Sequence, residues 1–124
     1  MPITMDPIQE CSDLHIVVER TLRRLRISGK LKGFRFLRYA LTVTVKDPYR
    51  TNLITKVLYP EIAAEFSDKD TRVERAIRTA ICACWDSYGR DELNKMAGYT
   101  LEKRPTNLEF IDLVAAYIRY TLDR

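Results

Sequence analysis

The chain has few of the residues that carry catalysis, metal binding or cross-linking: one histidine, three cysteines and four glycines among 124 residues. With His15 alone, no nucleophile–base pair is available, and four scattered glycines make no phosphate-cradling loop. No constellation therefore supports an enzyme. Cys11, Cys82 and Cys84 suit free thiols in a reducing compartment. Cys82 and Cys84 stand two apart, which on a helix puts them on different faces. Zinc usually needs four ligands at recognisable spacing, so no metal and no cofactor is expected. Cys84 is expected in the core and Cys82 half-exposed. No long apolar run can cross a membrane. The first ten residues, MPITMDPIQE, have neither the charged start nor the apolar middle of a signal peptide, so a cytoplasmic protein is expected. Alternating strand patterns and two-residue hairpin signals are also missing; LTVTV within 41–45 could pass for a strand but sits inside a longer helical pattern.

What the chain does have is charge and helical periodicity. It is 46% hydrophobic and 31% charged, the balance of one globular domain, with a net charge of +4 and a pI near 9.0. That excess favours a polyanionic partner. Residues 14–124 read as a single all-α domain, preceded by an extension over 1–13, with no repeat or linker.

The segment Pro60 to Trp85, PEIAAEFSDKDTRVERAIRTAICACW, reads as a short helix, a polar turn and a longer helix with arginines on one side. This is the layout of a helix-turn-helix, whose second helix enters the DNA major groove. Pro60 suits a first helical turn, Ile62 and Phe66 share an apolar face, and Ala63 is small where helices cross. Thr71 and Glu74 are spaced for a capping box ahead of a helix running from Arg72 to about Ser87. On a wheel of about 100° per residue, Val73, Ile77, Ala80, Ile81 and Cys84 gather on one arc, with Ala76 at its edge. Arg72, Glu74, Arg75, Arg78 and Thr79 gather on the other, and arginine can donate two hydrogen bonds to guanine O6 and N7. The turn Ser67–Asp70 is longer than the usual three to four residues or so, and it lacks glycine.

Six helices are expected in all. The first covers about Ser12–Arg26, with Leu14, Val17, Val18, Leu22 and Leu25 as its stripe and Gly29 to end it. The second covers about Gly33–Lys46, with Phe34, Leu37, Leu41 and Val45 inward, and stops at Asp47-Pro48. The third covers Thr51–Phe66, divided at Pro60. The fourth is the arginine-bearing helix. Asp91–Ala97, stopped by Gly98, is the fifth. Asn107–Leu122 is the sixth, opened by a Thr106/Glu109 capping box and striped by Phe110, Ile111, Val114, Ala115, Ile118 and Leu122. Lys103 and Arg104 before it form either a phosphate site at a helix N-terminus or a solvated basic loop. Eight cations from Arg20 to Arg38, with no acid among them, form either an accessory nucleic-acid surface or a solvated face. The solvated face is preferred, because the arginines spread around the helix.

The strings KGFRFLRYAL, ITKVLYPEIAAEF, TRVERAIRTAICACW, GYT and RPTNLEFI closely resemble the C-terminal effector domains of the sporulation response regulators (stage zero sporulation protein A) over roughly Leu14–Tyr120. The resemblance implies a six-helix bundle around a helix-turn-helix. It also implies double-stranded DNA as partner, read at short TGTCGAA-type boxes, often in tandem, to activate or repress transcription. By position, it assigns base contacts to Glu74, Arg75 and Arg78, with Thr79 on the same arc. Phosphate contacts are assigned to Thr71 and Arg72, with Lys56, Lys103 and Arg104 as further basic positions. Asp91, Glu92, Leu93 and Lys95 fall on the helix matched to the surface that touches the RNA polymerase sigma subunit, although the residues there differ from the family's. Family members also carry a phosphorylated N-terminal receiver domain. Only about 13 residues precede the first matching helix here, so either the receiver has been removed or the effector stands alone.

Two functions of different class follow. One is a sequence-specific regulator, monomeric off DNA and paired head to tail on tandem sites. The other is an interaction module that binds the polymerase sigma subunit or a full-length regulator. Weak, sequence-blind DNA binding would favour the second.

Overall fold

A computed structural model describes residues 7–123, with side chains from Asp13 onward; Cys11 lies outside the described side chains. The elements are α1 (Pro7–Arg24), α2 (Lys32–Lys46), a 3₁₀ segment (Pro48–Leu53) running into a π-turn (Ile54–Leu58), α3 (Tyr59–Glu65), α4 (Asp70–Trp85), α5 (Gly89–Ala97) and α6 (Asn107–Leu122). No strand occurs among the described residues. The all-α architecture of six helices is as the periodicity predicts.

Helix α2 is the central element, packed chiefly against α4 and α6, with α1 alongside. Its inward residues include Phe34, Phe36, Leu37, Ala40, Leu41 and Thr44; Val45, expected inward, is only half-buried. Phe110, Ile111, Val114, Ala115 and Ile118 of α6 close the core from one side. Val73, Ile77, Ala80, Ile81 and Cys84 of α4 close it from the other, the set the helical wheel isolates. Burial pushes the Cys84 thiol up to about 12, so it stays protonated and inert. Cys82 is half-buried, as expected.

The crossing of α2 and α4 is unusually close. A Cβ placed on Gly33 would stand 2.3 Å from the Ala76 carbonyl oxygen and 2.8 Å from the Ala80 Cβ. Only glycine lets the two backbones meet there.

Helix ends follow local rules where a local rule is available. The Thr106 hydroxyl accepts from the Glu109 N–H at 3.1 Å, and the Glu109 carboxylate accepts from the Thr106 N–H at 2.9 Å. Those two bonds hold the Glu109 carboxyl below the usual carboxylate range. Gly98 ends α5 in the left-handed region, φ 84°.

Three expectations at helix ends need correction. Helix α1 does not await Gly29: Arg26 takes the left-handed position, φ 64°. The Ile27 N–H reaches the Leu22 carbonyl and the Arg26 N–H the Arg23 carbonyl, the paired bonds of a Schellman motif. Buried Leu22 and Ile27 supply its apolar contact. Next, α4 starts two residues before Arg72, with Lys69 as an N-cap that has no side-chain cap bond. The Thr71/Glu74 capping box therefore does not form: Thr71 is already inside the first turn, and Glu74 turns to Arg78 instead. Finally, the turn between α3 and α4 is the four residues Phe66–Lys69, of ordinary length. Ser67, φ 54°, occupies the place of the missing glycine. The Asp68 N–H closes a second Schellman bond to the Ala63 carbonyl at 2.8 Å. Phe66 is packed edge-on against Phe36, centroids 5.4 Å apart, which fastens this turn to α2.

The expected third helix is also more irregular than its pattern. Pro60 does sit in the first turn of α3, but the residues before it are 3₁₀ and π. They are held by tertiary bonds: Thr51 donates to the Asp112 carboxylate of α6, and Arg50 to Glu61 of α3. At the far end of α4, the Arg90 guanidinium lies 4.1 Å from the centroid of Trp85 and its Nε donates to the Trp85 carbonyl at 2.9 Å.

Two outcomes are expected from urea denaturation. Ser67→Gly relieves a left-handed non-glycine residue and raises stability by about 0.5–1 kcal/mol. Gly33→Ala forces α2 away from a backbone carbonyl that no rotamer change can move, and lowers stability by roughly 1–3 kcal/mol with an unchanged m-value.

Candidate nucleic-acid interface

Burying one face of α4 leaves the other to solvent. Thr71, Arg72, Arg75, Arg78 and Thr79 are exposed and Glu74 is half-buried. The arginines differ in their surroundings. Arg72 lies 3.8 Å from the Asp68 carboxylate and Arg78 3.4 Å from that of Glu74. Arg75 has no ion-pair partner among the described residues. Exposed i,i+4 pairs are worth about 0.3–0.5 kcal/mol, less than the roughly 1–3 kcal/mol by which a bidentate arginine–guanine contact discriminates among bases. A base edge can therefore draw either paired guanidinium away from its carboxylate. The Asp70 and Thr71 N–H groups precede the first helical bonds, which the Arg72 and Val73 N–H groups make to the Lys69 carbonyl. With no side-chain cap, they face outward at the positive end of the helix, where an anion is favoured.

Two shallow clefts flank α4. One, of ≈ 290 Å³, brings Lys32 of α2 beside Arg72, Arg75 and Thr79. The other, of ≈ 350 Å³, brings Arg104 beside Glu74 and Arg78, with Thr55 and Tyr59 in its wall. Both are at or below the smallest volumes that hold small molecules, and both have cations at the rim, which suits grooves for an extended polyanion. A larger concavity of ≈ 900 Å³ lies between α5, the 98–106 loop and α6. Its walls are mainly apolar, including Met96, Leu101, Pro105 and Leu113, and it holds no nucleophile–base pair. Among the described residues, no three His, Cys, Asp or Glu are placed to hold a metal ion.

Of the residues singled out from sequence, Glu74, Arg75, Arg78, Thr79, Thr71 and Arg72 share one face of α4, and Arg104 joins them across the second cleft. Lys103 and Lys56 are exposed on the neighbouring loop and π-turn and line neither cleft. Lys32 was read only as part of a basic cluster; its place beside Arg75 depends on the α2–α4 crossing, which no local signal announces. The rest of that cluster is largely engaged. Arg23 lies over Phe34, Arg35 over Phe66, Arg38 donates to Glu19, and Arg24 donates to Glu92 and to the Tyr117 hydroxyl.

The α5 surface needs correction. Leu93 is 0% exposed and belongs to the core, because the face of α5 that packs on α4 and α6 carries it inward. Glu92 is tied to Arg24 at 2.8 Å and to Lys95 at 3.1 Å, and these bonds hold its carboxyl below the usual range. Asp91 and Lys95 are exposed.

The model of the family described as "Sporulation initiation factor Spo0A C terminal" matches residues 18–118, from within α1 to within α6. That span includes both helices of the motif and both flanking clefts. The chain belongs to this family of helical DNA-binding effector domains of sporulation transcription regulators.

Proposed function

We propose that the chain is a sequence-specific regulator that inserts α4 into the major groove and reads TGTCGAA-type boxes. In this reading Arg75 and Arg78 donate to guanine O6 and N7, and Glu74 accepts from a cytosine amino group. Thr79 lies against a neighbouring base edge. Thr71, Arg72, Lys56, Lys103 and Arg104 hold phosphates, joined by Lys32. The observation that carries the reading is the exposed arc of three guanidiniums on a helix whose opposite face is wholly buried, with cations along both sides. Phosphate contacts supply affinity and base contacts supply choice, and this surface offers both kinds. The protein is monomeric off DNA and pairs head to tail on tandem boxes. The outer residues of α5, Asp91 and Lys95, are the ones available to the polymerase sigma subunit.

The test is fluorescence anisotropy with a TGTCGAA-containing duplex and a scrambled one, near physiological salt. The unaltered protein is expected to prefer the box by at least about tenfold, a modest share of the usual ratio of specific to nonspecific binding. Arg75→Ala should cost about 1–3 kcal/mol on the box and little on the scrambled duplex. Equal losses on both duplexes would exclude base reading by Arg75. Equal weak binding of the unaltered protein to both would favour an interaction module acting through α5.

A further inference from the structure

Three helices meet at one side chain that the functional reading does not use. Asn107, the first residue of α6, is half-buried behind the recognition helix. A carboxamide nitrogen has two N–H donors, and both are engaged here. One reaches the Tyr59 hydroxyl at 2.9 Å, at the start of α3. The other reaches the backbone carbonyl of Glu74 at 3.0 Å, in α4.

The choice of carbonyl matters. In an α-helix the Glu74 carbonyl also accepts from the Arg78 N–H. Asn107 therefore bonds the one turn of α4 that carries both Glu74 and Arg78 on its outer side. Arg104 stands three residues before Asn107, and what lies between is stiff: Pro105 is buried, and Thr106 is fixed by its capping box with Glu109. Arg104 and Arg78 line the same cleft. A cation assigned to a phosphate and one assigned to a base are thus held in register through a single carboxamide.

We infer that Asn107 is a positioning residue for base reading: its double hydrogen bond fixes the Glu74–Arg78 turn relative to Arg104, so that base and phosphate contacts can be made together. This rests on the reading of α4 as the recognition helix. A misplaced reader weakens the contact that needs two aligned hydrogen bonds more than it weakens a phosphate contact, which tolerates displacement. Loss of Asn107 should therefore lower specificity and leave general affinity in place.

The experiment has two readouts on the full chain. Asn107→Ala removes both bonds. Asn107→Asp keeps the size and can still accept from Tyr59, but it turns a carboxylate oxygen toward the Glu74 carbonyl. Tyr59→Phe leaves the bond to Glu74 intact. By anisotropy on the TGTCGAA and scrambled duplexes, both Asn107 variants should lose on the order of tenfold in the ratio of the two affinities, as expected when a buried acceptor loses its donor. Scrambled-duplex affinity and its salt slope should stay as they were, and Tyr59→Phe should lose less. Amide exchange without DNA is the second readout. The Arg78 N–H should exchange faster in both Asn107 variants while the N–H of Phe110, in the core, keeps its protection. An unchanged affinity ratio in both variants, or a parallel fall on both duplexes, would reduce Asn107 to a residue of general stability and overturn the inference. Equal affinity of the unaltered protein for both duplexes would overturn the DNA reading and this role with it. Faster exchange at Arg78 in that case would show that the bond pins α4 for some other purpose.

Discussion

The contact on which the rest of the structure depends is the backbone meeting of α2 and α4 at Gly33 and Ala76. Most helix pairs are held apart by side chains, with axes about 8–10 Å apart. Here a missing Cβ lets one helix rest on a carbonyl of the other. The depth of α4 in the bundle is thereby set by main-chain atoms, which repack far less readily than side chains. Once α4 is seated, its apolar arc closes the core, its arginine arc faces out, and Lys32 comes to lie beside Arg75.

Support on the other side of α4 is polar rather than apolar. The Asn107 bonds join α4 to α3 and α6, and the segment before α3 is pinned by Thr51 to Asp112 and by Arg50 to Glu61. A recognition helix held by a close backbone contact on one flank and by hydrogen bonds on the other has little freedom to rock. The surface groups are the opposite: two of the three arginines are only loosely paired with carboxylates. The arrangement is a rigid scaffold carrying mobile readers, so that fitting to a base edge costs side-chain entropy but little backbone rearrangement.

How much of this the sequence discloses depends on how local each signal is. Helix α6 is legible in full, with both boundaries and the Thr106/Glu109 box, because a cap, a proline and an apolar stripe all agree within a few residues. The buried face of α4 is legible because five positions keep the helical period. The start of α4 is not: Thr71 and Glu74 satisfy the capping pattern, but the chain turns helical two residues earlier, after the Schellman turn at Ser67. The end of α1 is misplaced for the same reason. Arg26 accepts a left-handed conformation because buried Leu22 and Ile27 clasp across it, whereas the sequence offers Gly29 as the cheaper stop. Leu93 shows the limit of transfer by position, since a residue on a surface helix can still be its inward anchor. Lys32 and Asn107 were beyond reach altogether, because each acts on α4 from more than thirty residues away in the chain.

The stacked pair at the far end of α4 has a practical consequence. Trp85 is the one tryptophan in the chain, and it lies under the Arg90 guanidinium where α4 hands over to α5. The N-terminal arginines of α4 are about 20 Å away along the helix axis. Near-ultraviolet emission therefore belongs to the α5 end of the molecule alone. A ligand at the groove-reading end leaves this indole in its own surroundings, whereas one that grips α5 and displaces Arg90 changes its colour and intensity. The protein carries an unlabelled optical sensor for one of its two ends, and occupancy of the two can be titrated separately in a single cuvette.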